Sequence, residues 1–189
     1  KIYQMIIINN KDLELNDYYR VLIEGERIDI SEEVLNKVDQ CFDFLCEFSE
    51  NKVIYGVNTG LGPMAQYRIN KEDQITLQYN LIRSHAAGQG DALKPICVKA
   101  AMISRLKSLS LGYSGIHRNR NIYPFIPVHG GVGASGDLVQ LSHLALVLIG
   151  EGKVLYNNEW KNTAEVFAIE GLKALKVHLR EGLGLINGT

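Results

Sequence analysis

Cysteine is scarce in this 189-residue chain: only Cys41, Cys46 and Cys97 carry thiols, and no two of them stand in a C-x-x-C spacing. An odd, scattered set excludes a disulfide framework and a thiolate metal centre, and it suits a reducing cytoplasm. The five histidines, His85, His117, His129, His143 and His178, show no metal-ligand spacing, so no metal is expected. Long apolar runs are missing as well. The stretch IIIN near the start is too short for a secretory signal, and nothing approaches the roughly 20 apolar residues that a bilayer-crossing helix needs. Neither sign of charge predominates: 20 Lys and Arg stand against 21 Asp and Glu, with no basic stripe interleaved with aromatics. That balance disfavours nucleic acid and anionic membranes as partners and leaves a small molecule.

What is present is enough apolar residue (46%) to bury a core, with no repeat, low-complexity segment or linker, so residues 1–189 read as a single domain. Helix signals dominate. Ser31 is placed to cap a helix with Val34, Val38, Cys41, Phe42, Leu45 and Phe48 on one face. Asn70 is placed to cap the next, with Glu72 and Asp73 in the first turn where the helix dipole favours negative charge. Pro95 suits the start of a third helix, stopping at Gly112, and Leu138, Leu141, Ala145 and Leu148 stripe a fourth that ends at Gly150. The strong strand signal is KVLYNNEW, with Asn157 and Asn158 as a two-residue hairpin turn. Thr163 then caps a last long helix, AEVFAIEGLKALKVHL. The chain reads as mainly α with a small β element.

The stretch HGGVGASGDL, residues 129–138, spells G-x-G-x-x-G at Gly131, Gly133 and Gly136. A dinucleotide loop needs a buried parallel strand before it and an acidic residue about 20 positions on. Neither is present: Pro124 and Pro127 interrupt the preceding segment, and KVLY is followed by Asn157. Taken alone, the glycines make a tight turn and Ser135 or Asp137 caps the helix that begins at Leu138. Tyr55 alone is a half-buried aromatic beside a turn, His85 a helix-end histidine, and Asn187 an Asn-Gly turn.

The order of four segments changes that reading. YGVNTGLG at 55–62, LIRSHAAG at 81–88, GGVGASGDLVQLSHLALVLIGEG at 130–152 and EGLGLINGT at 181–189 together resemble the aromatic amino acid ammonia-lyase family, which includes histidine, phenylalanine and tyrosine ammonia-lyases and related aminomutases. The resemblance covers the chain from about Leu13 onward, and only the amino-terminal part of the family's longer polypeptide. It implies the amino-terminal portion of the aspartase/fumarase-like helical lyase fold. One departure stands out: between His117 and the segment NIYPFIPVHGG the family usually carries a further helix, where this chain has only Arg118, Asn119 and Arg120.

The resemblance also implies a chemistry. The nitrogen of Gly136 attacks the carbonyl of Ala134, and two dehydrations leave a 4-methylidene-imidazol-5-one ring made from Ala134, Ser135 and Gly136, so no external cofactor is needed. The residue types suit this. Glycine lets its nitrogen approach a neighbouring carbonyl, serine loses the hydroxyl that becomes the exocyclic methylene, and alanine fits a compressed turn. Tyr55 matches the family's catalytic tyrosine, the base for the β-proton. A phenol ordinarily titrates near about 10, so the role needs surroundings that favour phenolate. Gly56, Gly60 and Gly62 read as a mobile loop closing over substrate, with Gly62 in the substrate-binding set. Asn187 matches the asparagine that contacts ring and substrate amine.

Ser84 and His85 match the pair beside the substrate's ring. A histidine there suits a ring that can hydrogen-bond, which disfavours phenylalanine and leaves histidine or tyrosine. Val139-Gln140, where many histidine ammonia-lyases have Ala-Pro, leans toward bacterial tyrosine-type members. The expected activity is ammonia elimination from histidine, giving urocanate, or from tyrosine, giving coumarate, by a cytoplasmic homotetramer. An aminomutase of the same family and a non-catalytic helical assembly module are the alternatives. This 189-residue piece is itself expected to be inactive, its Ala134-Ser135-Gly136 uncyclised, with the helices from Leu138 and Ala164 exposing unpaired apolar faces.

Overall fold

The computed structural model describes residues 5–50, 52–111, 122–133, 136 and 138–188. In chain order the described elements are β1 (Met5–Ile8), α1 (Leu15–Leu22), β2 (Arg27–Ile30), α2 (Glu32–Ser49), a 3-10 turn (Gly62–Met64), α3 (Lys71–His85), β3 (Gln89–Ala92), α4 (Pro95–Ser110), β4 (Tyr123–Pro124), β5 (Pro127–His129), α5 (Leu138–Leu148), β6 (Lys153–Tyr156), β7 (Glu159–Asn162), α6 (Thr163–Glu170) and α7 (Glu181–Ile186). The fold is mainly α, as expected. The chain divides into two compact units, one of Lys1–Leu45 with Lys94–Ile116, the other of Cys46–Leu93 with His117–Thr189.

In the first unit β1 and β2 pair in parallel, Met5 opposite Arg27 and Ile8 opposite Ile30. Alternation explains β1: Ile6 and Ile8 are buried while Met5 and Ile7 face outward. Ile6 packs with Val21 of α1 and Ile103 of α4. The Lys107 ammonium donates to the carbonyls of Asn9 and Lys11, which supplies partners for a largely buried cation. Ser31 caps α2 through the Val34 N–H, but of the apolar face read there only Val34 is buried, and Phe42 and Phe48 are exposed.

In the second unit α3, α5 and α7 pack on one another. Gln78, Leu81 and Ile82 form the buried stripe of α3 at helical spacing. The buried residues of α5 are Ser142, Leu144, Ala145 and Val147, so of the stripe read from the sequence only Ala145 is fully buried; a helix that is apolar nearly all round is covered on several sides. A second cluster joins Ile122, Val147, Val154, Val166 and Phe167. The expectation that helices from Leu138 and Ala164 lack partners therefore fails.

The hairpin forms as read, with Asn157 and Asn158 at φ 52 and 64 linking β6 to β7. More strands occur than the sequence suggests. β4 joins the edge of that hairpin and β3 pairs antiparallel with β5; Pro124 and Pro127 sit in these short pairings, where few ladder donors are required. The last long helix is corrected: α6 stops at Glu170 because Gly171 takes φ 66 and the Leu172 N–H turns back to the Phe167 carbonyl. Its N-cap is Asn162, not Thr163, and the Asn162 amide donates to Glu165 Oε1 instead of capping. Asn70 stands at the N-cap of α3 without a side-chain capping bond. Gly112, the junction at residues 118–120 and the capping candidates Ser135 and Asp137 lie outside the described residues.

Candidate active site

The first motif begins at Tyr55, a residue 48% exposed. The Gly62 N–H donates to Tyr55 Oη at 3.1 Å, so a backbone donor faces the phenol oxygen. Between these ends residues 56–60 are buried, Asn58 accepts from the Ile54 N–H and donates to the Lys52 carbonyl, and the Gly60 N–H donates to the Tyr67 carbonyl.

Helix α3 connects this loop to the fourth motif. Gln78, fully buried, donates from Nε2 to the Gly56 carbonyl (3.0 Å) and accepts at Oε1 from the Leu183 N–H (3.3 Å). Gly182 makes this approach possible, since a Cβ there would lie 2.6 Å from the Gln78 main-chain oxygen. Alanine ordinarily favours a helix over glycine by about 1 kcal/mol. Here the collision is with backbone, and overpacking of this kind costs about 1–3 kcal/mol. Gly182→Ala is thus expected to lower stability, as measured by chemical denaturation, rather than raise it.

His85 ends α3. Its Nδ1 lies 2.8 Å from the Leu81 carbonyl, an acceptor only, so Nδ1 carries the proton and a neutral ring offers Nε2 as an acceptor. Ser84 Oγ donates to the same carbonyl at 3.2 Å. Three residues on, the Gly88 N–H donates to His143 Nε2 of α5 (3.1 Å), tying the second motif to the third. Burial pushes the His143 imidazole below its ordinary value, which keeps that nitrogen free to accept.

Of the three residues expected to form the ring, Ala134, Ser135 and Gly136, the first two lie outside the described residues. Gly136 takes φ 82. Gly188 comes so close that a Cβ on it would sit 2.8 Å from the Gly136 carbonyl oxygen. Gly131, Gly133, Gly136, Gln140, Leu141 and Gly188 line an open depression of about 510 Å³. Asn187, half-buried, ends α7 with its N–H on the Leu183 carbonyl (3.1 Å). At the start of α7, burial raises the Glu181 carboxyl above its ordinary value, against a His178 N–H that pulls it down.

The four motifs are thus linked through neighbours: the loop of Tyr55 to α7, α7 to Gly136, and the turn after His85 to α5. No hydrogen bond among the described residues joins Tyr55, His85 and Gly136 directly. Sequence reading missed Gln78 and the contact of His143. The available signal for Gln78 was its place on the stripe with Leu81 and Ile82, where an amide is out of pattern.

Solved structures of the same shape place this architecture among helical lyases. Tyrosine aminomutase from Streptomyces globisporus matches with TM-score 0.86 at 34% identity, over 98% of this chain and 37% of that one. The ergothionase of Treponema denticola matches with TM-score 0.90 at 29% identity, over 97% of this chain and 39% of that one. The probable histidine ammonia-lyase of Thermoplasma acidophilum is 39% identical over 196 residues, covering 98% of this chain and 40% of that protein. The sequence profile of the aromatic amino acid lyase family matches residues 13–189, and the chain belongs to that family of carbon–nitrogen lyases. It spans about 40% of the length of this curated relative.

Proposed function

We propose that the complete polypeptide carrying this chain eliminates ammonia, without oxidation, from an aromatic L-amino acid, histidine to urocanate or tyrosine to coumarate. The observation that carries the reading is the seating of Gly188, from the fourth motif, against the Gly136 carbonyl of the third. What supports a ring formed from Ala134, Ser135 and Gly136 is the positive φ of Gly136 and an approach of Gly188 so close that a Cβ on Gly188 would meet the Gly136 carbonyl. Such a ring supplies an electrophile that makes the substrate's amine a competent leaving group.

The chain's own residues do the rest. Tyr55 takes the β-proton as the carbon–nitrogen bond breaks and the double bond forms. Gly62 holds the phenol oxygen, and Asn187 faces the amine. His85, with Ser84 beside it, offers Nε2 to an imidazole N–H or a phenol O–H. The partner is a small aromatic amino acid, and a cytoplasmic homotetramer goes with the reading. Among the described residues no helix is long and apolar enough to cross a membrane.

Assaying the complete polypeptide with histidine, tyrosine and phenylalanine, while following the conjugated acid, tests this; turnover of histidine or tyrosine well above phenylalanine is expected. Aminomutase activity is the second reading, favoured by the likeness to a tyrosine aminomutase. A β-amino acid as main product would select it. His85→Phe replaces a hydrogen-bonding wall by an apolar one, and is expected to shift kcat/KM toward phenylalanine by about tenfold or more. An unchanged ratio among the three substrates would show that His85 does not read the ring.

A further inference from the structure

We infer that Gln78 is a positioning residue, whose one buried amide clasps the Tyr55 loop to α7 and so sets the base and the Asn187 segment in register. The inference rests on the lyase reading for its catalytic consequence. Its geometry stands apart from that reading.

Each end of the amide meets a group that needs it. The Leu183 N–H lies in the first turn of α7, where no intrahelical acceptor exists, and Gln78 Oε1 accepts from it. The Gly56 carbonyl, one residue beyond Tyr55, is buried, and Gln78 Nε2 donates to it. One turn along α7, the Leu183 carbonyl accepts from the Asn187 N–H. A single side chain therefore fixes the residue after the proposed base and, through one helical turn, the asparagine. The surroundings enforce this choice: a Cβ on Gly182 would lie 2.9 Å from Gln78 Oε1, and one on Gly56 would lie 2.6 Å from the Leu183 side chain. Among the described residues the Tyr55 hydroxyl is hydrogen-bonded within its own loop, to Gly62. The loop's bearing on α7 thus runs through Gln78 and the Gly56–Leu183 contact.

Two variants of the complete polypeptide separate the halves of the clasp. Gln78→Met keeps length and volume but neither hydrogen bond. Gln78→Glu keeps an acceptor for Leu183 and loses the donor to Gly56. Both are expected to lower kcat about tenfold to a hundredfold with KM within about threefold, as misplacement without loss of binding does. Amide exchange in residues 181–187 should quicken for Gln78→Met and stay as in the wild type for Gln78→Glu, while residues 55–62 quicken in both. A folded Gln78→Met with kcat within about twofold of the wild type would overturn the positioning role. Should neither variant fold, exchange in the wild type decides: the amides of residues 56–60 and of Leu183 are expected to open together with one denaturant dependence, and independent openings overturn the proposal. Absence of any turnover in the wild type would bear on the reaction, and the exchange comparison would still report on the clasp.

Discussion

Ser135→Ala, made in the complete polypeptide, is expected to reduce turnover by at least about a thousandfold while the protein still folds. The reason is covalent. In the proposed cyclisation the Gly136 nitrogen joins the Ala134 carbonyl carbon with loss of one water, and the second water takes the serine hydroxyl as the exocyclic double bond forms. Alanine has no hydroxyl to lose, so the ring, if closed at all, lacks its electrophilic carbon. Removing a covalent catalyst costs orders of magnitude because a single difficult step is no longer divided into two easier ones. Retention of a tenth of the wild-type rate would remove Ser135 from the mechanism.

Tyr55→Phe is the second large effect. Phenylalanine keeps the ring and its packing and deletes the oxygen proposed to accept the β-proton. The Gly62 N–H then loses its partner, but near an exposed ring water replaces it at small cost. Turnover should fall about a hundredfold to ten-thousandfold, the range for a lost general base, with a much smaller change in KM. A variant in which KM alone worsened would make Tyr55 a binding residue. Gln78→Met should produce a milder version of the same signature, because it displaces the base without deleting it.

Much of this was legible in the sequence where local chemistry decides the structure. Asn157 and Asn158 tolerate left-handed backbone, Ser31 offers an oxygen to the Val34 N–H, and Pro95 enters a first turn that needs no donor. Reading failed where distant segments decide. The apolar pattern of Leu172 and Leu175 continues past Gly171, yet the glycine's left-handed backbone ends α6 and Leu175 instead donates to the Leu148 carbonyl of α5. QGDA carries no alternating apolar pattern, and β3 forms by pairing with β5, a segment distant in sequence. In the site, motif order pointed to Tyr55, His85 and Asn187, but Gln78 is buried by α7, about a hundred residues away in sequence, which no local window contains.

The central claim is that this chain carries an electrophile made from its own backbone, and the mass of the complete polypeptide tests it most directly. Intact-mass measurement with peptide mapping should find a deficit of two waters, localised to the peptide spanning Ala134, Ser135 and Gly136 and absent from Ser135→Ala. A wild-type protein that turns over histidine or tyrosine while that peptide keeps its full, unmodified mass would contradict the account.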